Sequence, residues 1–296
     1  MASKLKKGEG RCLKIALSVV LAVYAFSLFI PILWGVLTSF KSQEDFRLNL
    51  FGLPNPFTLE NYLRAFELLY RDVENASGVV VRVYFPLMFL YSFLYAGGCA
   101  LMSTTTACVV AYATVKFEKF KLSKVIYTIV VVTMILPVIG NLPSEIHMSR
   151  LLGFYNTFPG IWIMKMTFLG MYFLVFHATF RGVAKDYYEA AYLDGASEWM
   201  VMVKIALPLV TYTYLTVLLL NFITFWNDYQ VPLIYLPSYP TAAYGVFLFS
   251  RSNDTRLSSV PARITGCIYM LLPVLILFIA FHKHLMGNLS MGGIKE

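Results

Sequence analysis

The chain has 296 residues, 58% of them hydrophobic, 16% aromatic and 14% charged, with a formal net charge of +8. Soluble domains carry roughly 25% charged residues, so this composition, with a mean hydropathy of +0.67, excludes a water-soluble enzyme or binding module and indicates an integral membrane protein. The excess of Lys and Arg is no nucleic-acid footprint, because these residues stand in short runs between apolar segments, where they set membrane orientation.

About 20 apolar residues cross the hydrocarbon core, and the uncharged runs predict six transmembrane helices, an all-α membrane protein. The runs are Ile15–Phe40, a longer one within Val83–Val115, Val125–Pro143, Thr157–Phe180 interrupted by Lys165, Ile205–Asn227 and Ile264–Phe281. The first is too long for a secretory signal peptide and lacks a small-residue cleavage site. Tyr229–Ser250 is also uncharged but carries Pro232, Pro237 and Pro240. Such a backbone would leave polar groups unsatisfied in lipid, so it is read as an outer loop, in part re-entrant. Cys12, Cys99, Cys108 and Cys267 show no C-x-x-C spacing and read as packed free thiols.

Lys4, Lys6, Lys7, Arg11 and Lys14 precede the first span, and Lys116, Lys119, Lys121 and Lys124 follow the second. The positive-inside rule places both groups in the cytoplasm. Six spans then return the C-terminus, with Lys283 and Lys295, to the same side. Lys41–Arg82 falls outside. Lys165 is costly within a span and either snorkels to the outer interface or faces a cavity or partner.

Glu189–Pro208, EAAYLDGASEWMVMVKIALP, is a polar island between the fourth and fifth spans, hence cytoplasmic. Glu189, Asp194 and Glu198 stand among Ala190, Ala191, Gly195 and Ala196. Small residues let another surface approach closely, and acids offer it something to grip. Two readings stand: an ordinary amphipathic loop, or a contact surface for a partner. On the fifth span, Asn221, Thr224 and Asp228 share roughly one helical face, with Trp226 and Asn227 nearby. Amides, carboxylates and aromatic faces suit a sugar pathway, and equally suit interhelical hydrogen bonding with an interfacial Trp.

Glu189-Ala190-Ala191, three residues, Gly195, nine residues and Ile205-x-Leu207-Pro208 together resemble the EAA loop of binding-protein-dependent ABC importer permeases. Thr58-Leu59-Glu60-Asn61-Tyr62, Asp194-Gly195-Ala196-Ser197, Trp226-Asn227-Asp228 with Pro232, and the tail Gly292-Gly293-Ile294-Lys295 are similar to the sugar-importing branch, the family of the maltose permease subunit MalG. Departures are Tyr91 before Ser92, where Asn is frequent, Ala184 in place of Pro, and the terminal Glu296.

The resemblance implies a basic cytoplasmic N-terminus (1–14), a permease domain (15–285) and a cytoplasmic tail (286–296) in a prokaryotic cell membrane. It implies ATPase coupling through Glu189, Ala190, Ala191, Asp194, Gly195 and Pro208, and ATPase contact by the tail residues Gly292, Gly293 and Lys295. The implied partners are a second permease in a heterodimer, two cytoplasmic ATPase subunits, an extracytoplasmic solute-binding protein, a sugar, an oligosaccharide above all, and the lipid bilayer. The chain holds no G-x-x-x-x-G-K-[ST] motif, so ATP and Mg are expected on the partner ATPase, with no cofactor on this chain and no enzymatic activity of its own. The alternatives are a permease for another small solute and, in a different class, an ion-coupled secondary transporter. The latter typically displays intramembrane acids or His and repeated halves.

Overall fold

The structure is a computed structural model that describes the backbone of residues 2–68, 70–74, 78–136, 140–251 and 259–289, with side chains from residue 14 to 66 and onward to 281 within those ranges. The chain divides into two compact units, Met1–Leu69 with Phe249–Tyr269, and Tyr70–Leu248 with Met270–Glu296.

In the first unit, α1 (Ala2–Ser39) exposes nearly its whole apolar surface from Ile15 to Leu33. A helix apolar all round suits lipid on every side. Its end is held by the Thr58–Tyr62 motif. The Asn61 amide donates to the Ser39 and Lys41 carbonyls at 2.8 Å each, the Thr58 amide donates to the Phe40 carbonyl at 2.9 Å, and the Tyr62 and Ser39 hydroxyls lie 2.7 Å apart. The buried Lys41 ammonium donates to the Asn49 carbonyl at the end of α2 (Gln43–Leu48), and Ser42 caps the start of that helix. The next helix, α3 (Glu60–Leu68), carries Asn61 and Tyr62. The Tyr269 hydroxyl reaches the Tyr62 carbonyl at 3.1 Å.

The second unit opens with an antiparallel hairpin, β1 (Tyr70–Glu74) against β2 (Val80–Tyr84), with Asp72 opposite Arg82. This hairpin corrects the all-α expectation. Its Val and Tyr residues favour extended backbone, and Arg82 binds Asp72 at 2.9 Å while covering the Tyr70 ring at 4.0 Å.

The long helix α4 (Phe85–Lys116) is the post of this unit. It buries Ala96, Ala100, Thr104, Ala107 and Ala111 along one stripe. Lipid tails are as apolar as Leu, so helices gain here from close backbone approach over small side chains. Packed on the post are α7 (Phe158–Met164), α8 (Met171–Arg181) and α12 (Thr211–Trp226), with α5 (Lys121–Ile135) near its end. Ala107, Cys108, Ala111 and Tyr112 meet Val130 of α5, Phe173, Phe176 and Phe180 of α8, and Val217 of α12 in one core. Gly98 admits Trp162, whose indole donates to the Leu94 carbonyl at 3.0 Å; a Cβ on Gly98 would lie 2.0 Å from that indole nitrogen.

Among the described residues, three helical stretches are long and apolar enough to cross a membrane: Lys14–Ser39, Phe85–Lys116 and Val260–Phe281, the last within α15 (Val260–Leu289). A bent pair, Glu198–Leu209 with Thr211–Trp226, makes a fourth if it is one span. The expected third span is the 15-residue α5, about 22 Å at 1.5 Å per residue, followed by α6 (Leu142–Leu151). The expected fourth span is not one helix. It breaks after Lys165, which ends α7, and restarts at Met171, because the Thr167 hydroxyl accepts the Leu169 amide and competes with helical pairing.

The expected fifth span starts later than its apolar run. Pro208 has no N–H to give the preceding turn, Met202–Ala206 is π-helical, and the chain bends by 75° about Val210. Tyr229–Ser250 is not a plain loop. It forms α13 (Gln230–Tyr235) and α14 (Ala242–Ser250), much of it buried, and the Ala242 amide donates to the Ser92 hydroxyl of α4 at 2.7 Å.

Candidate coupling site

Between α8 and α12 the chain forms two short helices, α9 (Asp186–Leu193) and α10 (Glu198–Val201), followed by the π-helical turn and α11 (Leu207–Leu209). Local chemistry dictates the corner between α9 and α10. Gly195 adopts φ +80°, its amide donates to the Tyr192 carbonyl at 3.0 Å, and the Ala196 amide donates to the Ala191 carbonyl at 3.0 Å. These are the two bonds of a Schellman ending, whose left-handed position favours glycine. A Cβ at Gly195 would meet nothing within 4 Å, so backbone conformation rather than space requires glycine. Ser197 then caps α10, its hydroxyl accepting the Met200 amide at 3.3 Å, with Glu198 in the first turn. The Asp194–Ser197 tetrapeptide is therefore a helix stop followed by a helix start.

Glu189 and Ala190 are exposed on α9, and Ala191 is buried beneath them. Among the described residues nothing pairs with the Glu189 carboxylate. Leu193 is 90% exposed and Trp199 70%, so the two helices hold large apolar side chains in the open beside an unpaired acid. Pro208 stands just before the bend at Val210, two residues above α12.

A second set of residues ties this arm to the post. Lys116, in the last turn of α4, donates to the Tyr192 hydroxyl, which in turn donates to the Glu198 carboxylate at 2.7 Å. The Lys116 ammonium also lies 3.6 Å from that carboxylate and 4.1 Å from the Tyr192 ring centroid. One half-buried cation thus holds α9 through Tyr192 and α10 through Glu198. Burial, then the bond to Glu198, push the Tyr192 phenol up to about 12. Sequence reading noted Lys116 and Glu198 only as an orienting cation and an acid, and passed over Tyr192. No spacing rule links an α4 residue to side chains 76 and 82 positions later.

The fifth-span candidates separate. The Asn221 amide is buried and donates to the Thr104 hydroxyl of α4 at 2.9 Å, and Trp226 is buried with its indole on the Met270 carbonyl at 3.0 Å. Asp228 accepts the Tyr95 hydroxyl at 2.8 Å and the Gln230 and Val231 amides at 2.9 and 3.1 Å, so it starts α13. Thr224 and Asn227 are exposed, each turned back on a carbonyl four residues earlier. The structure therefore brings Asn221, Trp226 and Asp228 into packing contacts and leaves Thr224 and Asn227 open. Gly292, Gly293 and Lys295 lie outside the described residues.

Comparison with known proteins bears on this arrangement. Residues 103–288, from the middle of α4 through most of α15, match the family described as binding-protein-dependent transport system inner membrane component. The diacetylchitobiose uptake system permease protein NgcG of Streptomyces coelicolor is 24% identical over 93% of this chain and 87% of its own length. The melibiose/raffinose/stachyose import permease protein MelC of Bacillus subtilis is 24% identical over 94% and 96%. The multiple sugar-binding transport system permease protein MsmG of Streptococcus mutans is 25% identical over 94% and 95%. In fold, the chain is similar to a crystal structure of a bacterial ABC transporter involved in the import of alginate, with a TM-score of 0.71, 21% identity, and coverage of 92% of this chain and 96% of that one. The chain belongs to the family of binding-protein-dependent transport system inner membrane components.

Proposed function

We propose that the chain is a permease subunit of an ATP-driven carbohydrate importer, forming half of a translocation pathway and docking a separate ATPase through α9 and α10. The observation that carries this reading is the arm itself. In a family of binding-protein-dependent transport components, it presents unpaired Glu189 with exposed Leu193 and Trp199 and is bonded to the end of α4 by Lys116. Large apolar side chains held in the open, rimmed by charge, mark a protein-docking surface. Glu189 meets a basic residue of the ATPase, and Ala190 keeps the approach close.

In this reading the chain crosses the membrane six times with both termini cytoplasmic, and residues 15–285 form the permease domain. The tail residues Gly292, Gly293 and Lys295 contact the ATPase. ATP and Mg bind that partner, a second permease completes a heterodimer, and a solute-binding protein docks on outer segments within Lys41–Arg82 and Tyr229–Arg263. Closure of two ATPases stabilises the outward-facing state over the inward-facing one, which is alternating access driven by differential binding. The relatives named for diacetylchitobiose, melibiose, raffinose and stachyose support an oligosaccharide cargo. Deleting this chain from its host is expected to abolish uptake of at least one labelled oligosaccharide of this kind. Undiminished uptake of all of them contradicts the reading.

A further inference from the structure

Two cavities adjoin at the α4 end that carries Lys116. One, of about 550 Å³, lies between the end of α4, the Phe117–Phe120 turn, the end of α8 and α9. The other, of about 640 Å³, lies between the ends of α4, α5 and α8, and both are lined by Glu118, Lys119 and Arg181. Together their walls hold five cations, Lys116, Lys119, Lys124, Arg181 and Lys185, against two carboxylates, Glu118 and Glu189.

The pairing is incomplete. Glu118 lies 3.7 Å from both Arg181 and Lys185, beyond hydrogen-bonding length, so the donors of both remain available. Among the described residues, the Lys119 and Lys124 ammoniums have no partner. A guanidinium with several ammoniums around a cavity matches a phosphate, which offers several oxygens to bidentate and point donors alike. Position selects the source. Tyr127 and Thr128 line the second cavity, and one heptad further along the same face of α5 stand the exposed Met134 and Ile135, on a helix that the proposed function places in the membrane. Tyr127 is an interfacial residue type. Acyl chains fit that apolar face while the headgroup fits the basic cavity.

We propose that these cavities form a phosphate site occupied by the headgroup of an anionic phospholipid, placed against α9 so that the bilayer bears on the coupling arm. The proposal rests on the cytoplasmic placement of this end, where anionic lipids attract basic clusters. A soluble phosphorylated compound carries the same phosphate chemistry, and the test separates it from the lipid.

The purified full-length chain in neutral detergent is titrated with phosphatidylglycerol, phosphatidylcholine or inorganic phosphate, and retained lipid is counted by native mass spectrometry beside thermal denaturation. Phosphatidylglycerol is expected to be retained and to raise the melting temperature, and phosphatidylcholine is not. Replacing two cations in Lys119→Gln/Lys124→Gln weakens phosphatidylglycerol by about 30-fold. These side chains are exposed and unpaired, so the variant is expected to keep the wild-type melting temperature without lipid. Arg181→Gln weakens binding further, and Arg181→Lys restores part of it. Equal retention of phosphatidylcholine, or unchanged phosphatidylglycerol affinity in the variants, overturns the site. Inorganic phosphate that stabilises the chain as well as phosphatidylglycerol overturns the lipid as occupant. Because no ATPase or sugar is present, failure here leaves the transport reading untouched.

Discussion

Lys116 and Glu198 lie 3.6 Å apart across 82 positions of sequence, with the Tyr192 hydroxyl between them. The end of the central post is thereby joined to both halves of the arm. An isolated, partly exposed ion pair contributes about 0.2–1 kcal/mol to stability, so under the proposed coupling role its loss should show in uptake rather than in melting temperature. Lys116→Met and Glu198→Gln should each shift the melting temperature of the purified chain little and lower ATP-driven uptake several-fold. The exchange Lys116→Glu with Glu198→Lys should recover part of the loss. Single variants with wild-type uptake would show that the arm moves without this tie.

The same cluster has a defined pH response. Tyr192 is raised in the folded protein from its ordinary value near 10 to about 12. A raised group contributes stability that is present below its unfolded value and lost as pH rises through its folded one. The tie should therefore persist to about pH 10 and loosen between about 10 and 12. Hydrogen exchange of the α9 and α10 amides against pH checks this, with Tyr192→Phe expected to remove the alkaline step.

Gly195 at φ +80° should not accept a side chain freely. Gly195→Ala is expected to cost about 1–2 kcal/mol in the left-handed region, loosening the corner and reducing uptake while the chain still reaches the membrane. Uptake at the wild-type level in Gly195→Val, whose β-branched side chain suits that region worse, would show that the corner is not needed.

Within the second unit, Asn221→Leu leaves the buried Thr104 hydroxyl without its amide donor. Interhelical hydrogen bonds in membranes are worth about 0.6 kcal/mol on average, so a small loss of thermal stability is expected. Thr104→Val should add little to it in the double variant. In the first unit, Asn61→Ala removes two bonds at once, and at about 1 kcal/mol each should cost about 2 kcal/mol. Thermal denaturation of purified variants measures both.

Much of this was legible because it is local. The long runs of α1, α4 and α15 follow from uncharged length, and the corner at Gly195 follows from the Asp194–Ser197 tetrapeptide. The break within the expected fourth span and the bend at Val210 were not, because apolar composition continues smoothly through Thr167 and Pro208 while backbone pairing does not. Tyr229–Ser250 read as a loop from its prolines, yet packing against Ser92 supplies the partner that buried backbone needs. On the fifth span, shared helical spacing placed Asn221, Thr224 and Asp228 together, but only tertiary contacts decide which of them face α4, the start of α13 or the outside. The hairpin at Tyr70–Tyr84 is short and charged, with too little alternation to stand out from a polar segment.

The most direct test of the proposed coupling arm is ATP-driven oligosaccharide uptake into proteoliposomes that hold the chain with the proposed second permease and ATPase and are supplied with binding protein. Glu189→Lys places a cation where the arm offers its unpaired acid. The account predicts that uptake falls to background while the variant remains folded in the bilayer, and that omitting the ATPase has the same effect on the wild type. Uptake at the wild-type rate by Glu189→Lys, or by the chain without any ATPase, would contradict it.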